Sequence, residues 1–127
     1  MWIDERALLL LHIETLAEHG GLPGLRDHGA LDSALARPRH LLAYEPKSDL
    51  AHLAAAYGFG IVRNHPFHDG NKRTGFLTMG VFLARNGHRL IADPIEAIAI
   101  IFRLAEGKLT EDELANWIRK NSKAATR

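Results

Sequence analysis

Residues 48–87 read SDLAHLAAAYGFGIVRNHPFHDGNKRTGFLTMGVFLARNG, and this stretch predicts two helices joined by one short loop. Ser48 suits an N-cap, and the first helix spans Asp49 to about Arg63. Its interior is rich in alanine and glycine, the composition of a central helix that neighbours approach closely. The second helix runs from about Asn71 to Arg85, with Asn86-Gly87 as its stop. Between them, Pro66 is expected to hold His65 in an extended conformation. Gly70 permits backbone angles that other residues avoid, and Asn71 suits a helix start.

Outward from this pair the punctuation stays helical. Asp4 caps a helix that ends near His19 at Gly20-Gly21. Gly20 to Gly29 is a glycine-rich connection with turn chemistry at Pro23-Gly24. A short helix from about Ala30 to Ala36 is expected to stop before Pro38, followed by a surface flap or short hairpin over Arg39 to Lys47. His88 to Ile91 reads as a brief strand. Asp93-Pro94-Ile95-Glu96 starts a helix that ends near Gly107, and Thr110 to Glu113 forms a capping box for a last helix to about Lys120. The expected fold is all-α, one domain over residues 1–127, a bundle of about six helices with a possible short β-flap.

Composition removes several function classes. There is no cysteine, which excludes disulfide frameworks, thiolate metal sites and thiol catalysis. The opening residues MWIDERALLLLHIE lack the basic start and long apolar run of a signal peptide. No apolar run reaches the length of a membrane span, and the expectation is a cytoplasmic protein with no membrane partner. Net charge is +1. The tail 119–127 holds Arg119, Lys120, Lys123 and Arg127 with no acid, which leaves the body at −3. A mildly acidic body carries no nucleic-acid footprint, and the basic tail reads as a frayed, solvated end.

The chemistry gathers in HPFHDGNKR, residues 65–73. A helix start offers free backbone N–H groups to an anion, and Lys72 and Arg73 add positive charge there, against the preference of the helix dipole for acids. Asp69 is the minimal carboxylate for a magnesium ion beside phosphates. His65 supplies a group that takes up a proton near neutral pH. Each residue has a bland reading: His65 as a structural histidine, Asp69 as a turn residue, Gly70-Asn71 as an ordinary turn, Phe67 as a core anchor. Together, base, magnesium ligand and phosphate cradle are the parts of a phosphoryl or nucleotidyl transferase.

The same residues resemble the Fic (Fido) superfamily motif, H-P-F-x-[DE]-G-N-x-R-x-x-R. His65, Pro66, Phe67, Asp69, Gly70, Asn71 and Arg73 match it; Lys72 stands in place of glycine and Phe76 in place of the second arginine. Both departures are those of the death-on-curing toxin branch, Doc, which shows N-K-R-T where this chain has Asn71-Lys72-Arg73-Thr74. Residues 20–38, GGLPGLRDHGALDSALARP, and 82–87, FLARNG, are similar to Doc-like sequences as well.

The resemblance implies a toxin of a toxin–antitoxin module, an ATP- and Mg2+-dependent kinase that phosphorylates a threonine of elongation factor Tu and halts translation. It implies that His65 activates the acceptor hydroxyl, Asp69 holds Mg2+, and Gly70, Asn71, Lys72 and Arg73 bind phosphate, with Arg63 and Thr74 as weaker candidates. Lys72 fills space that glycine leaves open in AMP-transferring relatives, which would present the γ-phosphate of ATP to the acceptor. The Arg39 to Lys47 flap would align the target peptide. The family's inhibitory motif, [ST]-x-x-x-E-[GN], is missing: Glu106-Gly107 has Phe102 four residues earlier. Restraint is therefore expected from elsewhere, and the Doc resemblance implies a separate antitoxin whose C-terminal segment folds as a helix in a groove of this domain. Three alternatives stay open: AMP transfer on the same fold, an HD-type metal phosphohydrolase built on His68-Asp69 with His40, His52 and Asp93, and a domain that binds without catalysis.

Overall fold

Helix α3 (Leu50–Asn64) is the axis around which the other elements pack: 10 of its 15 residues are buried, from Ala51 to Val62. The computed structural model describes residues 1–125 of the chain. Before α3 come α1 (Glu5–His19) and α2 (His28–Tyr44); after it come α4 (Asn71–Arg85), α5 (Pro94–Ala105) and α6 (Glu111–Lys120). Strands β1 (His88–Leu90) and β2 (Ser122–Ala124) form a small antiparallel sheet, with Arg89 opposite Lys123. The expected all-α bundle of six helices is the architecture found. Among the described residues, no helix is long and apolar enough to cross a membrane.

Small residues set how closely the helices approach α3. A Cβ on Gly60 would lie 3.0 Å from the Cα of Ala34, so α2 crosses α3 almost backbone to backbone. On the other side, a Cβ on Gly75 of α4 would lie 2.6 Å from a Val62 methyl. Either addition overpacks a dense interior. The core is filled by Leu8, Leu31, Tyr57, Ile61, Phe67, Phe82, Leu104, Leu114 and Ile118, all 1 % exposed or less. The buried Tyr57 hydroxyl accepts a hydrogen bond from the Ile3 N–H at 2.9 Å and pins the N-terminal segment to α3.

Four local expectations need correction. Helix α2 does not stop before Pro38; it continues to Tyr44, so the flap over Arg39 to Lys47 is helical for most of its length. A proline inside a helix costs about 3 kcal/mol through its missing N–H and its ring clash. Here Leu31, Ala34 and Pro38 are buried on one face of α2, and Leu35, Leu41 and Leu42 pack against the core. That burial outweighs the local penalty. The second correction concerns the N-cap of α3, which is Asp49 rather than Ser48: its Oδ1 accepts from the His52 N–H at 2.9 Å.

Third, the basic tail is not frayed over its described part. Arg119 and Lys120 end α6, residues 122–124 pair with β1, and the Ala125 N–H donates to the Gly87 carbonyl at 2.8 Å. Arg127 lies outside the described residues. Fourth, His65 is left-handed rather than extended, as its place at the end of α3 requires.

Asp49 also joins α3 to α6, since Arg119 donates to it through Nε at 2.7 Å and Nη2 at 3.1 Å. This guanidinium lowers the Asp49 carboxyl from 3.8 to about 2, with the helix-start N–H of His52 adding to the effect. A depressed carboxylate stabilises the fold at pH values above its unfolded pKa. The contribution is therefore complete above about pH 4 and is lost as pH falls through about 2. Because the pair is half-exposed, Asp49→Ala is expected to cost about 1–2 kcal/mol, chiefly through the lost cap. Urea titrations should show this deficit at pH 7 and a much smaller one at pH 2.

Candidate active site

The loop between α3 and α4 begins where α3 runs out. His65 caps the helix with φ 50° and ψ 60°, and its N–H donates to the Ile61 carbonyl at 3.3 Å. It is the single non-glycine residue with positive φ among the described residues, and its side chain is exposed. Left-handed geometry just before a proline is doubly disfavoured, and such strain persists only where surrounding contacts enforce it. Arg26 enforces it: Nε donates to the His65 carbonyl at 2.6 Å and Nη2 to that of Asn64 at 2.8 Å.

The glycine-rich connection after α1 wraps the rest of the loop. Leu25 and Phe67 form an isolated antiparallel bridge, and the Pro66 carbonyl accepts from the N–H groups of Arg26 and Asp27 at 2.8 and 3.1 Å. The His68 N–H donates to the Gly24 carbonyl at 3.3 Å. The Leu22 N–H donates to Oδ2 of Asp69 at 2.7 Å, which orients an exposed carboxylate. Gly21, at φ 125°, allows this approach: a Cβ there would lie 3.1 Å from the Cβ of Asp69.

Phe67 is the core anchor that the sequence suggests, 1 % exposed and stacked on the ring of His12. Asn71 does more than start α4. Its Oδ1 accepts from the Phe67 N–H at 3.0 Å and its Nδ2 donates to the Phe67 carbonyl at 2.9 Å, so its buried amide closes the loop on itself. Its side chain is thus committed to the loop, and what it offers an anion is its backbone N–H.

The start of α4 differs from every other helix start in the chain. Asp4, Asp27, Asp49, Asp93 and Thr110 each cap their helices with a side-chain oxygen. Helix α4 starts on Gly70, at φ 80°, with no side-chain cap and no acid in its first turn. The first backbone bond of the helix runs from the Thr74 N–H to the Gly70 carbonyl at 2.9 Å. The N–H groups of Asn71, Lys72 and Arg73 therefore have no intrahelical partner, and no acid in the first turn offsets the positive end of the helix dipole. This arrangement fits a phosphate.

A groove of about 980 Å³ opens from that point. Gly70, Asn71, Lys72 and Arg73 form its polar end, and it continues between α4 and α5 past Phe76, Leu77, Val81, Ile98 and Phe102. Lys72 and Arg73 are exposed, and the Lys72 ammonium lies over the Phe102 ring, 5.3 Å from its centroid. The volume is that of an ordinary ligand site.

Two of the expected residues stand apart from this cluster. Arg63 donates through Nη1 to the Leu104 carbonyl at 3.3 Å and packs on Gly107, at the end of α5. Thr74 is fully buried, so its hydroxyl has no surface to offer a phosphate. Gly70, Asn71, Lys72 and Arg73 line the groove together, whereas His65 and Asp69 are exposed on the loop before it and are not among its lining residues. The HD-type reading loses its support: the one group of three potential metal ligands among the described residues is Glu5, His28 and Asp32, which includes neither His68 nor Asp69. His52, one of the ligands it would need, pairs instead with Asp112 at 3.2 Å.

The profile of the Fic/DOC family matches residues 2–83, which takes in α1 to α3, the whole loop and most of α4. The chain belongs to the Fic/DOC family. It is 32 % identical over 118 residues to the "Protein kinase doc" of Escherichia phage P1, covering 93 % of each chain. It is 41 % identical over 75 residues to the "Toxin Doc" of Mycolicibacterium smegmatis, covering 58 % of each.

Residue-by-residue reading of a Fic/DOC loop finds His65 to Arg73 but misses what holds them. Arg26, Leu22 and His12 carried no sequence signal for this role: an arginine in a loop, an exposed leucine and a histidine on an apolar helix face are ordinary on their own. Their proximity to the loop emerges only when α1 and the connection after it pack against the turn between α3 and α4.

Proposed function

We propose that this chain is the toxin of a toxin–antitoxin pair and acts as an ATP-dependent protein kinase on a threonine or serine hydroxyl of a translation factor, elongation factor Tu, in the cytoplasm. The observation that carries the reading is the uncapped, cationic start of α4, which opens into a groove and directly follows the loop that carries an exposed His65. The names of the two relatives, a protein kinase and a toxin, support the same reading.

In this account the N–H groups of Gly70 to Arg73 and the side chains of Lys72 and Arg73 bind the phosphates of ATP. Asp69 Oδ1 would hold Mg2+, with Oδ2 kept in place by Leu22. Bound there, Mg2+ would neutralise charge on the phosphate oxygens. His65 takes the proton from the acceptor hydroxyl as its oxygen bonds to the γ-phosphorus and the bond to the β-phosphate oxygen breaks, leaving ADP and a phosphorylated side chain. Lys72 lines the groove, and this supports a γ-phosphate directed at the acceptor rather than an AMP moiety.

The apolar stretch of the groove would seat the antitoxin. Ile98 and Phe102 are 58 % and 52 % exposed, four residues apart on α5, and face an α4 wall that includes Leu77 and Val81. An amphipathic helix is the partner suited to such a surface. No direct contact with nucleic acid or membrane belongs to this account.

The test is to incubate the protein with ATP, Mg2+ and elongation factor Tu and to weigh the factor. A phosphoryl-sized increment is expected. An adenylyl-sized one would replace the kinase by an AMP transferase, and an unchanged mass would remove this acceptor.

A further inference from the structure

We propose that His12 is a positioning residue for the catalytic loop: it fixes the Asp69–Gly70 peptide, and through it aims both the carboxylate and the first free N–H of the phosphate cradle. The role at Asp69 rests on the reading of the site given above; the contact itself does not.

His12 lies in the middle of α1 and is 3 % exposed. A buried polar ring is costly unless it is hydrogen-bonded. Its Nε2 lies 2.8 Å from the carbonyl oxygen of Asp69. A carbonyl only accepts, so Nε2 carries the proton and donates. The ring lies flat on Phe67, with centroids 3.7 Å apart and planes 7° from parallel. One side chain of α1 therefore holds the loop at two points, two residues apart.

The consequence follows from the planarity of the peptide. In a trans peptide the C=O and the following N–H point in opposite directions. Drawing the Asp69 carbonyl toward α1 turns the Gly70 N–H away from it. Gly70 lines the polar end of the groove, at the start of α4. His12, Thr15 and Leu16 lie beneath it, 3.5–3.6 Å from where a Cβ of residue 70 would be. Without the donor, the Asp69 carbonyl loses its partner, and the peptide gains freedom to rotate. Both the carboxylate before it and the N–H after it would then lose their aim.

Two substitutions separate donor from ring. His12→Phe keeps a flat ring for Phe67 and removes the donor; His12→Gln keeps a donor of similar reach and removes the ring. Hydrogen exchange on the ligand-free protein reads the loop directly, because the Leu22, Phe67 and His68 N–H groups are bonded only through it. In His12→Phe these three amides are expected to exchange about tenfold faster or more, while buried amides of α3 keep their rates. His12→Gln should stay within about threefold of the parent. With a non-hydrolysable ATP analogue, the Mg2+ concentration needed for half-maximal binding should follow the same order.

A His12→Phe variant with parental exchange would overturn the proposal. So would equal loosening in both variants, which would assign His12 to packing alone. The unsubstituted protein gives a check that needs no variant: the His12 Nε2 proton should be a slowly exchanging resonance coupled to the Asp69 carbonyl carbon, and its absence would also refute the contact. If the parent protein bound no Mg2+–nucleotide, the kinase reading would fall while exchange still decided the place of His12.

Discussion

His65→Ala is expected to abolish phosphoryl transfer and growth arrest while leaving the fold in place. A positioned general base contributes about 10²–10⁴-fold, and nothing else at this loop offers an exposed imidazole in the same place. The one other imidazole exposed on the loop, that of His68, is three residues on, with its backbone tied to Gly24. Stability should change little, because the loop is held through backbone carbonyls of residues 64 to 66 rather than through the imidazole. His65→Asn is the sharper control. Asparagine tolerates left-handed backbone better than alanine, so that variant should unfold at or above the parental temperature and still be inactive. Full growth arrest by either variant would make the domain a binding module rather than an enzyme.

The second large effect is expected at Asp69. Asparagine there is nearly isosteric, and its side-chain oxygen can still accept from the Leu22 N–H, so the loop keeps its shape. What disappears is the negative charge that would hold Mg2+. Metal stabilisation of transferring phosphate is worth several kcal/mol, so Asp69→Asn should lose about 10²-fold or more in rate. Raising Mg2+ should recover part of the loss, whereas no metal concentration rescues His65→Ala. Parallel rate measurements across Mg2+ concentrations separate the two roles. A metal-independent residual rate equal to the parent's would take Asp69 out of the site.

Much of this was legible in the chain because its punctuation was unambiguous. Asp4, Asp93-Pro94 and the Thr110–Glu113 capping box place helix starts where they are found. Pro66 and Gly70 mark a loop, and Lys72 and Arg73 at an acid-free helix start are the pattern on which the proposed anion site rests. Failures came where a local rule met a tertiary force. Pro38 is tolerated because it is buried together with Leu31 and Ala34. His65 is left-handed because Arg26, a residue 39 positions away, holds its carbonyl. Strand β2 has three residues and no periodicity, and it exists only because β1 lies beside it. Asn71 reads as a helix cap in sequence, yet its amide closes the loop by bonding both backbone groups of Phe67.

The central claim is spatial, and a crystal structure with Mg2+ and a non-hydrolysable ATP analogue tests it most directly. The account places phosphate oxygens on the N–H groups at residues 70–73, the metal on Asp69, and the terminal phosphate nearest His65. A nucleotide bound elsewhere, or one whose α-phosphate lies against His65, would contradict it.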